Sequence, residues 1–414
     1  MPASLRGLPR ETFVLALVAF CVALGFGIVV PAVPLFALQF GVGPTAAGAV
    51  VSAFALMRLL SGIGGGRLVD RAGERVALIV GIVVVAVSSL FAGLAVNYPQ
   101  LLVFRAIGGI GSAIFTIAST SLLLRVASAA QRGQTQSVYR GGFLLGGIIG
   151  PAFGGAVIGI SLRAPFFLYT GTLALAALVA ITMLPRGAVR DQPAQVSLGV
   201  AEESAAPEVV VPAPRTTLKT ALAKPAYQAA LAGNFAVGFS VLGVRSTVVP
   251  LLVVKKLHLA PGWIGAAFVV AALVQGVLLL PAGKAVDEIG RRPMLIVGGF
   301  LTAGSLVALA LVTGPVSLLL AMGLFALGAA VMGVAPAAIL GDVLEGKGGT
   351  AVAVWQMASD LGSVIGPVAA GLLIDHGSFG TSLVVSAVVV GACTLLGFRV
   401  PQAGVAAAES KSTA

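Results

Sequence analysis

Five charged side chains sit inside long apolar runs of this 414-residue chain: Arg58, Arg105, Arg140, Arg245 and Asp360. A charge at the centre of a bilayer costs at least ~2.5 kcal/mol on insertion scales, so each one calls for a reason. Arg140 lies close to the end of its run, where its stem can follow apolar surface while its head reaches water. Arg58 has the same option, or it can stay inside as a structural cation or a contact for a bound molecule. Asp360 is the only acid well inside a predicted span. A buried carboxylate beside a cation can take up and release a proton, or it can hold a structural ion pair, here with Arg245 and Arg105 as candidate partners.

The elements that must position these charges follow from composition. Hydrophobic residues make up 58% of the chain and charged ones 9%, against roughly 25% charged in a soluble domain. The apolar runs are continuous and do not alternate, which predicts membrane-spanning helices and not a barrel. Breaking the runs at Gly/Pro clusters and charges gives twelve candidate spans, near 13–38, 45–66, 76–97, 100–124, 136–160, 164–184, 227–253, 262–285, 293–313, 316–340, 351–374 and 379–398. Each is long enough, at roughly 20 residues, to cross about 30 Å of hydrocarbon. The first run continues too far for a signal peptide. Residues 186–225, rich in Pro, Ala and charge, read as a cytoplasmic linker between a six-helix half at 1–185 and another at 226–400, with a cytoplasmic tail at 401–414.

The net charge of +11 does not point to nucleic acid, because the basic residues are sorted by side. Arg6, Arg10, Arg67, Arg71, Arg75, Arg125, Arg132, Arg186, Lys284, Arg291, Arg292 and Arg399 share one face with the linker's cations, and only Arg163, Lys255 and Lys256 lie opposite. That asymmetry places both termini in the cytoplasm. Cys21 and Cys393 fall in separate apolar spans, and His258 and His376 near loops, which leaves no pattern for a disulfide framework or a metal site. No phosphate-binding Gly-x-x-x-x-Gly-Lys-Ser/Thr loop and no nucleophile–base constellation is visible, so neither ATP drive nor an enzyme is indicated, and no cofactor is expected.

The chain repeats itself. Gly66, Asp70, Gly73 and the basic residue Arg75 return 217 positions on as Gly283, Asp287, Gly290 and Arg292, with Arg291 just before the last. Pro34 returns as Pro250, and Gly146, Gly150, Pro151 and Gly155 return as Gly362, Gly366, Pro367 and Gly371, at an offset of 216. A single offset across separate landmarks predicts parallel repeats about an axis along the membrane normal. Asp360 stands outside that scheme, since its counterpart is Leu144.

With these motifs the chain resembles the major facilitator superfamily, and within it the twelve-span drug:proton antiporters. The loop motif Gly-x-x-x-Asp-Arg-x-Gly-Arg-basic is matched at Gly66, Asp70, Arg71, Gly73 and Arg75, with Glu74 standing where a basic residue is usual. The span-five motif is matched at Gly146, Gly150, Pro151, Gly154 and Gly155. The span-four motif is matched at Leu101, Arg105 and Gly109, with Gly108 in place of glutamine, and the span-one pattern at Leu24, Gly25, Pro31 and Pro34. The resemblance implies that Asp70 and its loop, with the weaker copy Gly283, Asp287, Gly290 and Arg291, latch the cytoplasmic side closed in the outward-facing state. A plain topogenic loop with a capping acid is the alternative. It implies that Arg105 serves the central cavity and proton coupling, and that the span-five glycines pack against the opposite half and suppress leak. Tight packing alone explains the same spacing.

A substrate pocket between the halves near the midplane draws on Phe26, Arg58, Phe115, Asn234, Phe235, Arg245, Gln275, Trp355, Gln356 and Met357, polar or aromatic residues that also serve as ordinary packing. The expected protein is a monomeric transporter of a bacterial inner membrane that exports a small amphipathic compound in exchange for protons. A proton-coupled or facilitated carrier of a sugar or other metabolite is the alternative within transport, and a membrane sensor that kept the fold is a third.

Overall fold

The computed structural model describes residues 8–127, 131–184, 217–344 and 349–401. The chain is an all-α, multi-pass membrane protein. Among the described residues eleven helices are long and apolar enough to cross a membrane, and the bent pair Gly262–Leu278 and Leu280–Glu288, taken as one span, makes twelve. Its 46° bend lies beside Pro281, which has no N–H to donate and crowds the carbonyl four residues back.

Spans 1 to 6 are Arg10–Leu38, Pro44–Ala72, Glu74–Leu94, Tyr98–Val126, Arg132–Ile158 and Ala164–Met183. Spans 7 to 12 are Pro225–Lys256, Gly262–Glu288, Arg291–Ala310, Pro315–Val343, Gly349–Asp375 and Phe379–Leu395. The stretch read as a linker includes a short helix, Leu218–Ala223, while 185–216 and the tail beyond 401 lie outside the described residues. Span 7 contains two π-helical turns, Gly238–Val244 and Leu252–Lys256, on either side of Pro250. A wider turn accommodates a proline that cannot close an ordinary helical bond, and such turns recur at functional sites.

Each half is held together by glycine stripes. A methyl group at Gly146, Gly150 or Gly154 of span 5 would overlap the span-1 backbone around Phe20, Leu24 and Ile28. The repeat preserves the contact: Gly362 and Gly366 of span 11 meet span 7 at Phe235 and Phe239. With no hydrophobic drive between helices in lipid, this backbone approach supplies the dispersion contact that holds the pairs. The predicted contact of the stripe with the opposite half is therefore corrected. Gly146, Gly150 and Gly154 face span 1 of their own half, and only Gly155, one step around the helix, reaches across. Helical geometry sets the difference, because a four-residue spacing keeps one face while one residue turns about 100°.

Candidate functional site

The halves meet along two antiparallel seams. In the first, span 2 runs against span 11. From the end far from the linker inward, Thr45 meets Asp375, Pro44 meets Gly371, Gly48 meets Pro367, and the Ser52 hydroxyl donates to the Val364 carbonyl at 2.6 Å. The seam ends near the midpoint of both helices at an ion pair between Arg58 and Asp360. The Arg58 side chain is 27% exposed and that of Asp360 12%, so water reaches the arginine more easily than the acid. Just past the pair lies a cleft. Leu59 of span 2, Leu231 and Phe235 of span 7, and Val354, Met357 and Leu361 of span 11 line an almost wholly apolar cleft of about 570 Å³. The ion pair thus sits between the hydrogen-bonded, glycine-lined seam and this apolar cleft.

The second seam runs between spans 5 and 8, and it is apolar. Gly155 lies against Gly265, and Gly276 near Ile148 at 3.6 Å from an added methyl. Counting along the repeat, Arg58 corresponds to Gln275 and Asp360 to Leu144, so the twin seam lacks the charges.

Arg105 and Arg245 do not reach Asp360, contrary to the expected pairing. Each turns into its own half and stacks on aromatic rings: Arg105 over Phe54 at 4.6 Å, Arg245 over Phe268 and Phe325 at 5.4 and 5.5 Å. Among the described residues neither makes an ion pair or a hydrogen bond, and the Nε of each is buried without a partner. Ring faces supply a cation with some of what water would, at about 2 kcal/mol when desolvated. Phe26 joins the Arg105 cluster, 5.5 Å from Phe54 and 6.4 Å from Tyr169. Arg140 is exposed.

The other pocket candidates divide. Asn234 donates to the Trp355 carbonyl at 2.7 Å, and the Trp355 indole donates to the Ala230 carbonyl at 3.2 Å, so both staple span 7 to span 11. Phe115 is buried, its backbone against Gly81 of span 3. Gln356 and Met357 are exposed, with Met357 at the cleft, and Gln275 is half-buried.

The two loop copies turn on glycines with positive φ, Gly73 at 82° and Gly290 at 110°, a conformation that disfavours a Cβ. Asp70 and Arg71 are exposed, and Arg75 donates to the Ile181 carbonyl at 2.7 Å instead of pairing with Asp70. Glu74, the departure from the motif, pairs with Arg125 at 3.0 Å. Its counterpart 217 positions on is Arg291, which pairs with Asp342 at 2.6 Å, and Asp342 is the counterpart of Arg125. The two halves therefore carry the same clamp with its charges exchanged. The offset alone would have revealed it, as opposite charges at equivalent positions, whereas Thr45, Ser52 and Asp375 had no signal outside the fold.

Among known proteins, the profile of the Major Facilitator Superfamily matches residues 15–244 and 230–413. Multidrug resistance protein 2 of Bacillus subtilis (strain 168) is 26% identical over 361 residues, 86% of each chain. Quinolone resistance protein NorA of Staphylococcus aureus (strain MRSA252) is 28% identical over 179 residues, 42% of this chain and 45% of its own. The fold is similar to that of an inward-facing, unoccupied bacterial homolog of the human lysosomal transporter Spinster, with a TM-score of 0.71, 17% identity, and 94% and 95% of the two chains covered. It is also similar to a POT family transporter in complex with 5-aminolevulinic acid, at a TM-score of 0.75, 13% identity, and 95% and 96% coverage.

Proposed function

The chain belongs to the Major Facilitator Superfamily, and from that premise we propose that it exports small amphipathic compounds across a bacterial membrane in exchange for protons. The relatives named for multidrug and quinolone resistance support the direction and the substrate class. The single observation that carries the mechanism is the Arg58–Asp360 pair between the halves, beside the apolar cleft.

In this reading the linker end faces the cytoplasm, which the sorting of basic residues supports, the hydrogen-bonded end of the seam is the outer side, and the apolar cleft belongs to the cytoplasmic side. The ion pair clamps the empty carrier. A proton on Asp360, or a substrate group that takes Arg58 from it, releases the clamp and lets the halves rock. With neither bound the carrier stays put, which is what strict exchange demands. Arg105 and Arg245, cations without acids, favour neutral or anionic compounds over dications. Asp70, exposed here, is free to latch the cytoplasmic ends in the other state, where a carboxylate can meet the positive end of a helix.

Purified protein in liposomes holding a pH-sensitive dye tests this with a panel of dyes, antibiotics and sugars. Substrate-dependent proton movement in the wild type that falls at least ten-fold in Asp360→Asn is the expected result. Proton movement that survives the substitution would move coupling elsewhere, and sugar uptake without proton movement would make the protein a facilitated carrier.

A further inference from the structure

Span 2 starts without a cap of its own. Its N-cap position is Gly43, which has no side chain to offer the first amides, whereas span 4 caps itself with Asn97 and span 12 with Ser378. The missing acceptor comes from across the molecule. The carboxylate of Asp375, the last residue of span 11, accepts from the Thr45 backbone N–H at 2.8 Å and from the Thr45 hydroxyl. A carboxylate there satisfies an orphan amide and opposes the positive end of the span-2 dipole. The same acid faces the negative end of its own helix, where a negative charge is unfavourable. Its placement makes sense for the partner helix and not for its own.

The contact joins the two halves at the far end of the charged seam, so it exists only while those ends are together. The glycines around it enforce the approach, since Gly43 faces the Asp375 carboxylate oxygens and Gly371 faces the Pro44 carbonyl. The twin seam has nothing similar, because Gly262 stands where Thr45 would and Gly159 where Asp375 would.

We infer that Asp375 is a positioning residue for transport: a helix cap lent by one half to the other that holds the outer side shut and sets the ratio of inward-open to outward-open carrier. The inference rests on the alternating-access reading above and adds an outer lock to the midpoint clamp. When the outer ends separate, Asp375 and the Thr45 amide pass to water, so the lock tunes the ratio and does not forbid opening. The usual worth of an N-cap corresponds to about a five-fold change in that ratio.

The test uses the full chain in lipid nanodiscs with Cys21 and Cys393 replaced by alanine and spin labels at Gln39→Cys and Thr313→Cys, exposed positions in the far-end loops of the two halves. Electron–electron distance distributions then report outer opening without any substrate. Asp375→Ala is expected to raise the ratio of outer-open to outer-closed carrier about five-fold, Asp375→Asn, which keeps an accepting oxygen but loses the charge, and Thr45→Val to raise it less, and Asp375→Glu to return it toward the parent value. Distributions unmoved in both Asp375→Asn and Asp375→Ala, with the variants eluting and melting like the parent, would overturn the inference. A shift in Asp375→Asn together with no proton movement for any panel compound would leave the lock standing and sink the exporter reading instead.

Discussion

The two seams between the halves are built from the same repeat and differ in kind. Spans 5 and 8 meet through Gly155 and Gly265 with apolar neighbours, a contact that dispersion alone can make. Spans 2 and 11 keep the glycines, at Gly48 and Gly371, and add Thr45, Ser52, Arg58, Asp360 and Asp375. Duplication supplied two equivalent hinges, and polar chemistry was placed on one. Under the proposed mechanism, a proton-released clamp on both would need two protonations for a single motion. With the acid on one seam, the other is left to act as a smooth bearing.

Turning the charged seam into a copy of its twin, with Arg58→Gln and Asp360→Leu together, should break this division most severely. The outer ends still close, because the glycine contacts remain, but proton movement driven by substrate falls at least ten-fold in the liposome assay. A double variant that still moves protons would show that the charges are structural. The single change Arg58→Gln is expected to be worse for the fold than the pair, since it leaves Asp360 unpartnered in the membrane at a cost of ~3 kcal/mol. Thermal unfolding in detergent reads that ordering.

Next in size is the apolar seam. Gly155→Val forces side-chain carbons into the Gly265 backbone, and overpacking of this sort costs typically ~1–3 kcal/mol. Because the strain exists only when the outer ends touch, the expected outcome is a shift of the label distances toward outer-open carrier. Unchanged distances would mean that this seam does not carry closure.

A smaller effect separates seams from clamps. Glu74→Arg or Arg125→Glu alone should lower stability by up to about 1 kcal/mol, as befits a partly exposed pair, and the double swap should restore it, because the other half already uses the exchanged arrangement at Arg291 and Asp342. Thermal melting of the three variants checks it, with no change expected in the label distances. Ser52→Ala removes one hydrogen bond to Val364 and should cost the least, ~0.6 kcal/mol, the mean for such bonds between membrane helices.

Much of this was legible in order of residues. The spans, the repeat and the turn at Gly73 and Gly290 follow from hydropathy, an offset and the positive φ that glycine permits. Asp360 stands out as the lone acid well inside a predicted span, but the partners expected for it are Arg245 and Arg105, and Arg58 reads as a snorkelling or structural cation or a contact for a bound molecule. Which arginine it meets was not legible, because Arg58 and Asp360 are 302 positions apart and belong to different halves. Arg105 and Arg245, the partners expected from the sequence, turn instead onto the rings of Phe54, Phe268 and Phe325. The span-five glycines were recognisable as a contact face, but the partner helix was not, since four-residue spacing names a face and not what lies against it.

By itself, then, the order of amino acids determined that this protein lives in a membrane, that it is two copies of one six-helix plan, and which side chains are expensive enough to need a purpose. Those properties are local: they depend on water-to-lipid transfer of each segment and on the periodicity of a helix. Only the tertiary structure decided that Arg58 clamps Asp360, that Asp375 caps the opposite half, and that one seam is charged while its twin is bare. Those are contacts between segments distant in the chain, and their energies depend on which helices the packing brings within reach.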